Sequence, residues 1–137
     1  MLESWIPITA EIELFRRFLS PDFPALKIEH ALDKDLYRDH WSWGRRSGMW
    51  RRRGVYLIFD SDGSLQYVGK ATATFEKRIL TKFFSIAEAD TASVVAFPDG
   101  CAFMAPALES FLIARLAPPG NKNGARDYVR CPTTPSI

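Results

Sequence analysis

The sequence has few of the residues that staple small domains or gather metal ions. Its 137 residues include only two cysteines and two histidines. Cys101 and Cys131 are isolated, with no Cys-x-x-Cys pair, which argues against a zinc site and against a disulfide framework. Unpaired thiols are typical of a reducing compartment, so we expect a cytoplasmic protein.

Long apolar runs are missing as well. No stretch approaches the roughly 18 apolar residues that a membrane-spanning helix needs. The N-terminal sequence MLESWIPITAEIELF contains Glu3 and lacks a basic start, unlike a secretory signal. We therefore expect no membrane among the partners of this protein.

A strong excess of one charge is the third absence. The formal net charge is +2, which is too small to indicate a nucleic-acid partner. Basic residues are nevertheless concentrated beside Trp41, Trp43 and Trp50, in a stretch without acids. The arginines of this stretch are Arg45, Arg46, Arg51, Arg52 and Arg53.

Two interpretations fit this arginine–tryptophan segment. Arginines neutralise phosphates and tryptophans stack on exposed bases, which predicts a nucleic-acid-binding segment that includes Trp50. Alternatively, the tryptophans are buried against a sheet and the arginines form a solvated rim. The sequence alone leaves both interpretations open.

The chain contains enough apolar residues to fold as one domain, with 47% hydrophobic and 13% aromatic residues. Periodicity and turn signals predict, in chain order, a helix at residues 8–19, an irregular arm at 21–53, strands at 54–59 and 65–69, a helix at 74–85, a strand at 92–98 and a helix at 106–116. Thr9 and Thr74 are expected to cap the first two helices. We expect an α+β fold, with a small three-stranded antiparallel or mixed sheet flanked by helices.

The same pattern divides the chain into three segments. Residues 1–52 are expected to form an N-terminal helix and a basic, aromatic arm packed on the core. Residues 53–125 are expected to form the main domain. Residues 126–137, which contain Pro132 and Pro135, are expected to be a flexible tail.

A predicted hairpin carries the most informative residues. Gly54-Val55-Tyr56 lies in its first strand and Tyr67-Val68-Gly69 in its second, with the turn signal Asp62-Gly63 between them. Because side chains alternate along a strand, antiparallel pairing can place both phenols on one face. Tyrosines are also common packing residues in strands, so the hairpin alone is a weak signal.

Together with later residues, the two triplets resemble the signature of the GIY-YIG nuclease family. The second triplet continues into Lys70-Ala71, and this Tyr-Val-Gly-Lys-Ala run is similar to that of the N-terminal nuclease domains of nucleotide-excision repair endonucleases. Arg78, Glu109 and Asn121 follow in the order in which the family has an arginine, a glutamate and an asparagine. The likeness covers residues 53–123.

This resemblance implies an endonuclease that hydrolyses DNA phosphodiester bonds with one Mg²⁺ or Mn²⁺ ion. It places the metal on Glu109, and hard divalent ions of this type prefer oxygen ligands. Arg78 is expected to grip the phosphate with its forked donors. The general base would be Tyr56, if neighbouring cations favour its phenolate, or Lys70, if burial and neighbouring charge lower its pKa.

The other matched residues would support the site. Tyr67 is expected to orient water or phosphate through its hydroxyl. Gly54 and Gly69 would let the backbone approach its neighbours closely. Asn121 would tie the chain after the last helix back to the site, in a structural or a catalytic role.

Two other functions remain open from the sequence. A catalytically inactive GIY-YIG-like module that binds nucleic acid or protein would keep the fold without the reaction. An unrelated small basic domain is the other alternative. No second DNA-binding domain is recognisable, which leaves three expectations open: residues 1–52 supply DNA recognition, a protein partner targets the nuclease, or the protein is weakly selective.

Overall fold

Residues 2–36 and 48–121 are described by a computed structural model, and they form one sheet flanked by helices. The helices are α1 (Leu2–Arg17), α2 (Phe75–Ser85) and α3 (Ala105–Leu116). The strands are β1 (Ile28–Asp33), β2 (Arg53–Phe59), β3 (Leu65–Ala71) and β4 (Thr91–Phe97). Short 3₁₀ turns occur at Met49–Arg51, Asp99–Met104 and Pro119–Asn121. No helix in this part of the chain is long and apolar enough to cross a membrane.

The sheet has the order β1-β4-β2-β3, and every neighbouring pair of strands is antiparallel. The expected α+β class is confirmed, but the expected count of three strands is wrong. The fourth strand, β1, comes from the segment at 21–53 that was expected to be irregular, and its Ile28 stands opposite Val95 of β4. Because all pairs are antiparallel, the alternative of a mixed sheet does not hold.

The first helix starts earlier than its sequence signals predict. It runs over Leu2–Arg17, so Thr9 lies inside it and is not its cap. Pro7 lies in the second turn of this helix, where a missing amide costs a single backbone hydrogen bond. Ile8, Ile12 and Phe15 are buried in the core, and this packing holds the helix on the sheet.

The central hairpin forms where it was expected. Asp60 organises its turn, because one carboxylate oxygen accepts the amides of Asp62 and Ser64, each at 2.9 Å. The helix expected at 74–85 corresponds to α2, with Thr74 at its N-cap position but without a side-chain capping bond. The expected last strand and last helix correspond to β4 and α3.

Two apolar clusters cover the two faces of the sheet. On one face, α1 and α3 pack against residues such as Val55, Leu57 and Val95. On the other face, α2 and the 3₁₀ turn at Met49–Arg51 pack against residues such as Ile58 and Val94, and this group is called the α2 cluster below. The sheet is therefore buried on both sides, and β3 forms one of its two edges.

The three predicted segments are only partly described. Strand β1 belongs to the segment 1–52, so this segment contributes to the sheet itself. The predicted flexible tail at 126–137 lies outside the described residues, as do Arg45, Arg46, Trp41 and Trp43. The boundaries at residues 52 and 125 stay predictions.

Candidate active site

The two signature tyrosines lie on the face of the sheet that α2 covers. Tyr56 stands opposite Gly69 in the ladder between β2 and β3, and Tyr67 stands opposite Ile58. The ring centroids of the two tyrosines are 6.0 Å apart, and their planes are inclined by 33°. The hairpin thus places both phenols on one face, as its alternation predicts.

Gly69 allows the ring of Tyr56 to extend over the edge strand. A Cβ atom at Gly69 would lie 2.7 Å from Cε1 of Tyr56, and closer still to its Cζ and hydroxyl oxygen. The ring therefore crosses the β3 backbone at the one position of the triplet that has no side chain. Tyr56 is only 1% exposed, because Gly69 lies against one side of the ring and the α2 cluster surrounds the rest.

Lys70 and Glu109 approach the same edge from the opposite face. Lys70 follows Gly69, so its side chain points to the face covered by α1 and α3. Its Nζ lies 3.7 Å from Oε1 of Glu109, which projects from α3. The Glu109 side chain is 13% exposed and that of Lys70 is 45% exposed, so a largely buried carboxylate meets an accessible cation.

The charge of Arg78 affects ionisable groups on both faces of the sheet at this edge. Arg78 lies on the exposed side of α2, and burial raises the pKa of both Tyr56 and Glu109 while the charge of Arg78 opposes that rise. The structure therefore brings together all five residues expected to be catalytic, which are Tyr56, Tyr67, Lys70, Arg78 and Glu109.

Burial controls the protonation of Tyr56. Loss of solvation raises the pKa of its phenol well above the ordinary value of 10.0, and the neighbouring Tyr67 raises it further. The charge of Arg78 lowers the pKa by less than these effects raise it. Arg78 favours the phenolate, as expected of a nearby cation, but burial outweighs it, and the net shift favours the protonated phenol.

The Glu109 carboxyl also has a raised pKa, because burial disfavours its charged form. Lys70 and then Arg78 oppose this effect. Within the described residues, no group of three or more His, Cys, Asp and Glu side chains gathers in one place. The donor set at Glu109 still fits Mg²⁺ or Mn²⁺, because these ions are held through one or two carboxylates and keep several water ligands.

A cleft of about 250 Å³ opens beside Tyr56 on the α2 face. It is lined by Tyr56, Lys77, Arg78, Thr81 and Lys82, and so by three cations and no acid. Lys82 is held above the ring of Tyr67, with its Nζ 4.7 Å from the ring centroid. Lys82 was not among the expected site residues, although it follows Arg78 by four residues and therefore shares its side of the helix.

Asn121 closes the edge of β3 beside this site. Its Oδ1 accepts the Val68 amide at 2.7 Å, and its Nδ2 donates to the Val68 carbonyl at 2.9 Å. The side chain thus replaces a neighbouring strand at one residue of the edge. Gly120 lies so close that a Cβ there would collide with the carbonyl of Gln66, which explains a glycine before Asn121.

Gly54 meets a backbone requirement of its own. Its φ is 155°, a conformation that residues with side chains rarely adopt. A Cβ at Gly54 would also collide with the carbonyl oxygen of Val95 on β4. Gly54 therefore allows β2 and β4 to approach closely, which is the kind of role expected for it.

The described part of the arginine–tryptophan segment matches the second interpretation of its sequence. Trp50 is 1% exposed and packs in the α2 cluster, so its expected role as a stacking surface for bases is wrong. Arg51, Arg52 and Arg53 are exposed, and Arg52 lies 3.7 Å from Glu29 of β1. The three arginines form an exposed rim around a buried tryptophan.

Comparisons with known proteins do not assign a family or a function to this site. No model of a known protein family matches the chain, and no curated protein matches it.

Proposed function

We propose that the protein is a GIY-YIG-type endonuclease that hydrolyses DNA phosphodiester bonds with one divalent metal ion. The observation that supports this most is the convergence at Gly69. Tyr56 and Tyr67 reach this part of the edge strand from one face, and the pair formed by Lys70 and Glu109 reaches it from the other.

Each side chain has a distinct part in the proposed reaction. Glu109 would hold Mg²⁺ or Mn²⁺, which would neutralise charge on the phosphate and on the leaving oxygen. Arg78 would bind phosphate oxygens through its guanidinium donors. Tyr67 would orient the attacking water or the phosphate through its hydroxyl.

The raised pKa of Tyr56 limits the roles that this residue can have in the proposed reaction. A phenol that keeps its proton is suited to donate a hydrogen bond to the attacking water or to the phosphate, and not to take up a proton. Lys70 is the other candidate for the general base, but the burial that was expected to activate it is limited, because its side chain is 45% exposed beside the Glu109 carboxylate.

A nicking assay tests this proposal. Purified protein would be incubated with supercoiled plasmid and Mg²⁺ or Mn²⁺, with a chelator as a control. We expect metal-dependent nicking that falls by at least about 100-fold in Glu109→Ala and in Tyr56→Phe. Glu88→Ala, which removes an exposed carboxylate between α2 and β4, is the matched control and should retain nicking. Unchanged nicking by Glu109→Ala would overturn the assignment of the metal to that residue.

A binding module without catalytic activity is the second candidate, and the burial of Tyr56 favours it. A hydroxyl that is covered in the free protein must become accessible before it can assist cleavage. Tight binding of DNA without any metal-dependent nicking would favour this module over the nuclease.

DNA recognition beyond the site is proposed for the exposed rim of arginines at 51–53. The backbone carbonyl of Arg52 accepts the amide of Phe75, the first residue of α2, at 2.9 Å. The rim therefore lies beside the helix that carries Arg78, and one nucleic-acid backbone could contact both. A protein partner that targets the nuclease remains part of the proposal.

A further inference from the structure

The cleft on the α2 face contains cations that the proposed reaction does not use. Residues 77, 78, 81 and 82 are related by steps of one and four positions, so they share one side of α2. The opposite side of the helix is buried through Phe75, Ile79 and Phe83. This helix therefore presents a polar surface, with three cations, directly beside Tyr56.

Among the described residues, no carboxylate forms a close ion pair with these cations, which are Lys77, Arg78 and Lys82. Lys82 is instead positioned by the ring of Tyr67, over which its ammonium lies at 4.7 Å from the centroid. A cation that an aromatic ring orients keeps its hydrogen-bond donors for a ligand, and the ligand of matching charge is an anion.

We propose that this cleft is a second phosphate-binding site, in which Lys82 holds the phosphodiester next to the one that is cleaved. Arg78 and Lys82 are separated by about 6 Å along the helix axis, so one turn of α2 presents two cations in succession to a nucleic-acid strand. Thr81 supplies a hydroxyl on the same surface. The inference rests on the proposed function, because the second phosphate is defined relative to the bond that is cut.

Binding to DNA in a chelator tests this site without any cleavage. The affinity for a fluorescent duplex oligonucleotide would be measured by anisotropy over a range of salt concentrations. Lys82→Met removes the charge and keeps an apolar stem against Tyr67. We expect the slope of log K against log salt to become shallower by about 0.9, the effect of one lost phosphate contact. Lys82→Arg should restore the slope.

Lys27→Met is the matched control, because Lys27 is an exposed lysine next to β1, at the opposite edge of the sheet. It should leave the salt slope unaltered. Equal slopes for Lys82→Met and Lys27→Met would overturn the second site, as would a lack of DNA binding by the unsubstituted protein. Thermal unfolding of each variant would verify that the fold is intact.

A nicking assay on the same variants shows whether the second phosphate site or the proposed nuclease function has failed. If no protein in the series nicks plasmid, the nuclease proposal fails, and the salt slopes still decide whether Lys82 binds phosphate. If nicking occurs, Lys82→Met should raise the KM for DNA. A loss confined to kcat would place Lys82 at the cleaved phosphate and overturn its assignment to the neighbouring one.

Discussion

Replacing Gly69 by alanine tests whether the site depends on a bare position in the edge strand. The new methyl group would occupy space that the Tyr56 ring now fills, with Cε1 2.7 Å away and the end of the ring nearer still. Real side chains do not approach so closely, so the ring must move. Gly69 has no positive φ, and backbone strain therefore does not contribute to the effect.

The magnitude follows from the packing of Tyr56. This side chain is 1% exposed and is packed within the α2 cluster, so its ring cannot turn away without displacing neighbours. Overpacking of this kind costs about 1–3 kcal/mol. A shift of about 1 Å in the hydroxyl would also reduce nicking by about 100-fold, since catalytic groups tolerate little displacement.

Urea unfolding followed by tryptophan fluorescence would measure the loss of stability. Gly100→Ala is the matched control, because nothing lies within 4 Å of a Cβ at that exposed glycine. In a Tyr56→Leu background, where the ring is absent, Gly69→Ala should cost much less than in the parent protein. The explanation fails if Gly69→Ala costs no more than Gly100→Ala, or costs the same in both backgrounds.

Three further predictions follow from single contacts. Glu29→Gln should tighten DNA binding by up to about 5-fold, because it frees Arg52 from an exposed ion pair of roughly 0–1 kcal/mol, and Arg52→Gln should weaken it; an unchanged dissociation constant in Arg52→Gln would exclude Arg52 from the DNA-binding surface. Asn121→Ala should lower the free energy of unfolding by about 2–4 kcal/mol, since the amide and carbonyl of Val68 lose their partners; a Val68 amide that still exchanges slowly with solvent would contradict this. The raised pKa of Glu109 means that the folded chain holds this proton more tightly, so its contribution to stability is present below pH 4.5 and is lost as the pH rises through the folded pKa. In a chelator, Glu109→Gln should therefore lose less stability than the parent protein between pH 4 and pH 7, and parallel pH profiles would refute the assignment.

Local sequence patterns were sufficient to predict most helices and strands of the fold. The main error, the missed strand β1, arose because this strand depends on long-range pairing. The hairpin and α2 have strong local signals, and both form where expected. Strand β1 reads IEHALD, with charged or polar residues at three of its six positions, so its apolar pattern is short. Its pairing with β4 joins residues far apart in the chain, and only the folded sheet supplies the apolar surface that stabilises it.

For the candidate site, the sequence predicted which residues lie near one another better than it predicted how deeply each is buried. The sequence indicated which side chains would meet, and Tyr56, Lys70 and Glu109 do lie at one edge. It did not reveal that burial outweighs the nearby cation at Tyr56, because solvation depends on packing that no local pattern encodes. Trp50 illustrates the same difficulty, since the sequence left open whether its ring is exposed or buried, and the fold buries it.

The position of the site at an edge strand creates a conflict that Asn121 resolves. Unpaired amides and carbonyls at an edge can pair with a strand of another molecule, which favours aggregation. Asn121 occupies the hydrogen-bonding groups of Val68 from outside the sheet, and the charged side chain of Lys70 follows two residues later. Together they block the addition of a strand, while Lys70 remains 45% exposed and accessible to a phosphate. These two hydrogen bonds support the structural role expected of Asn121, and its catalytic role stays a prediction.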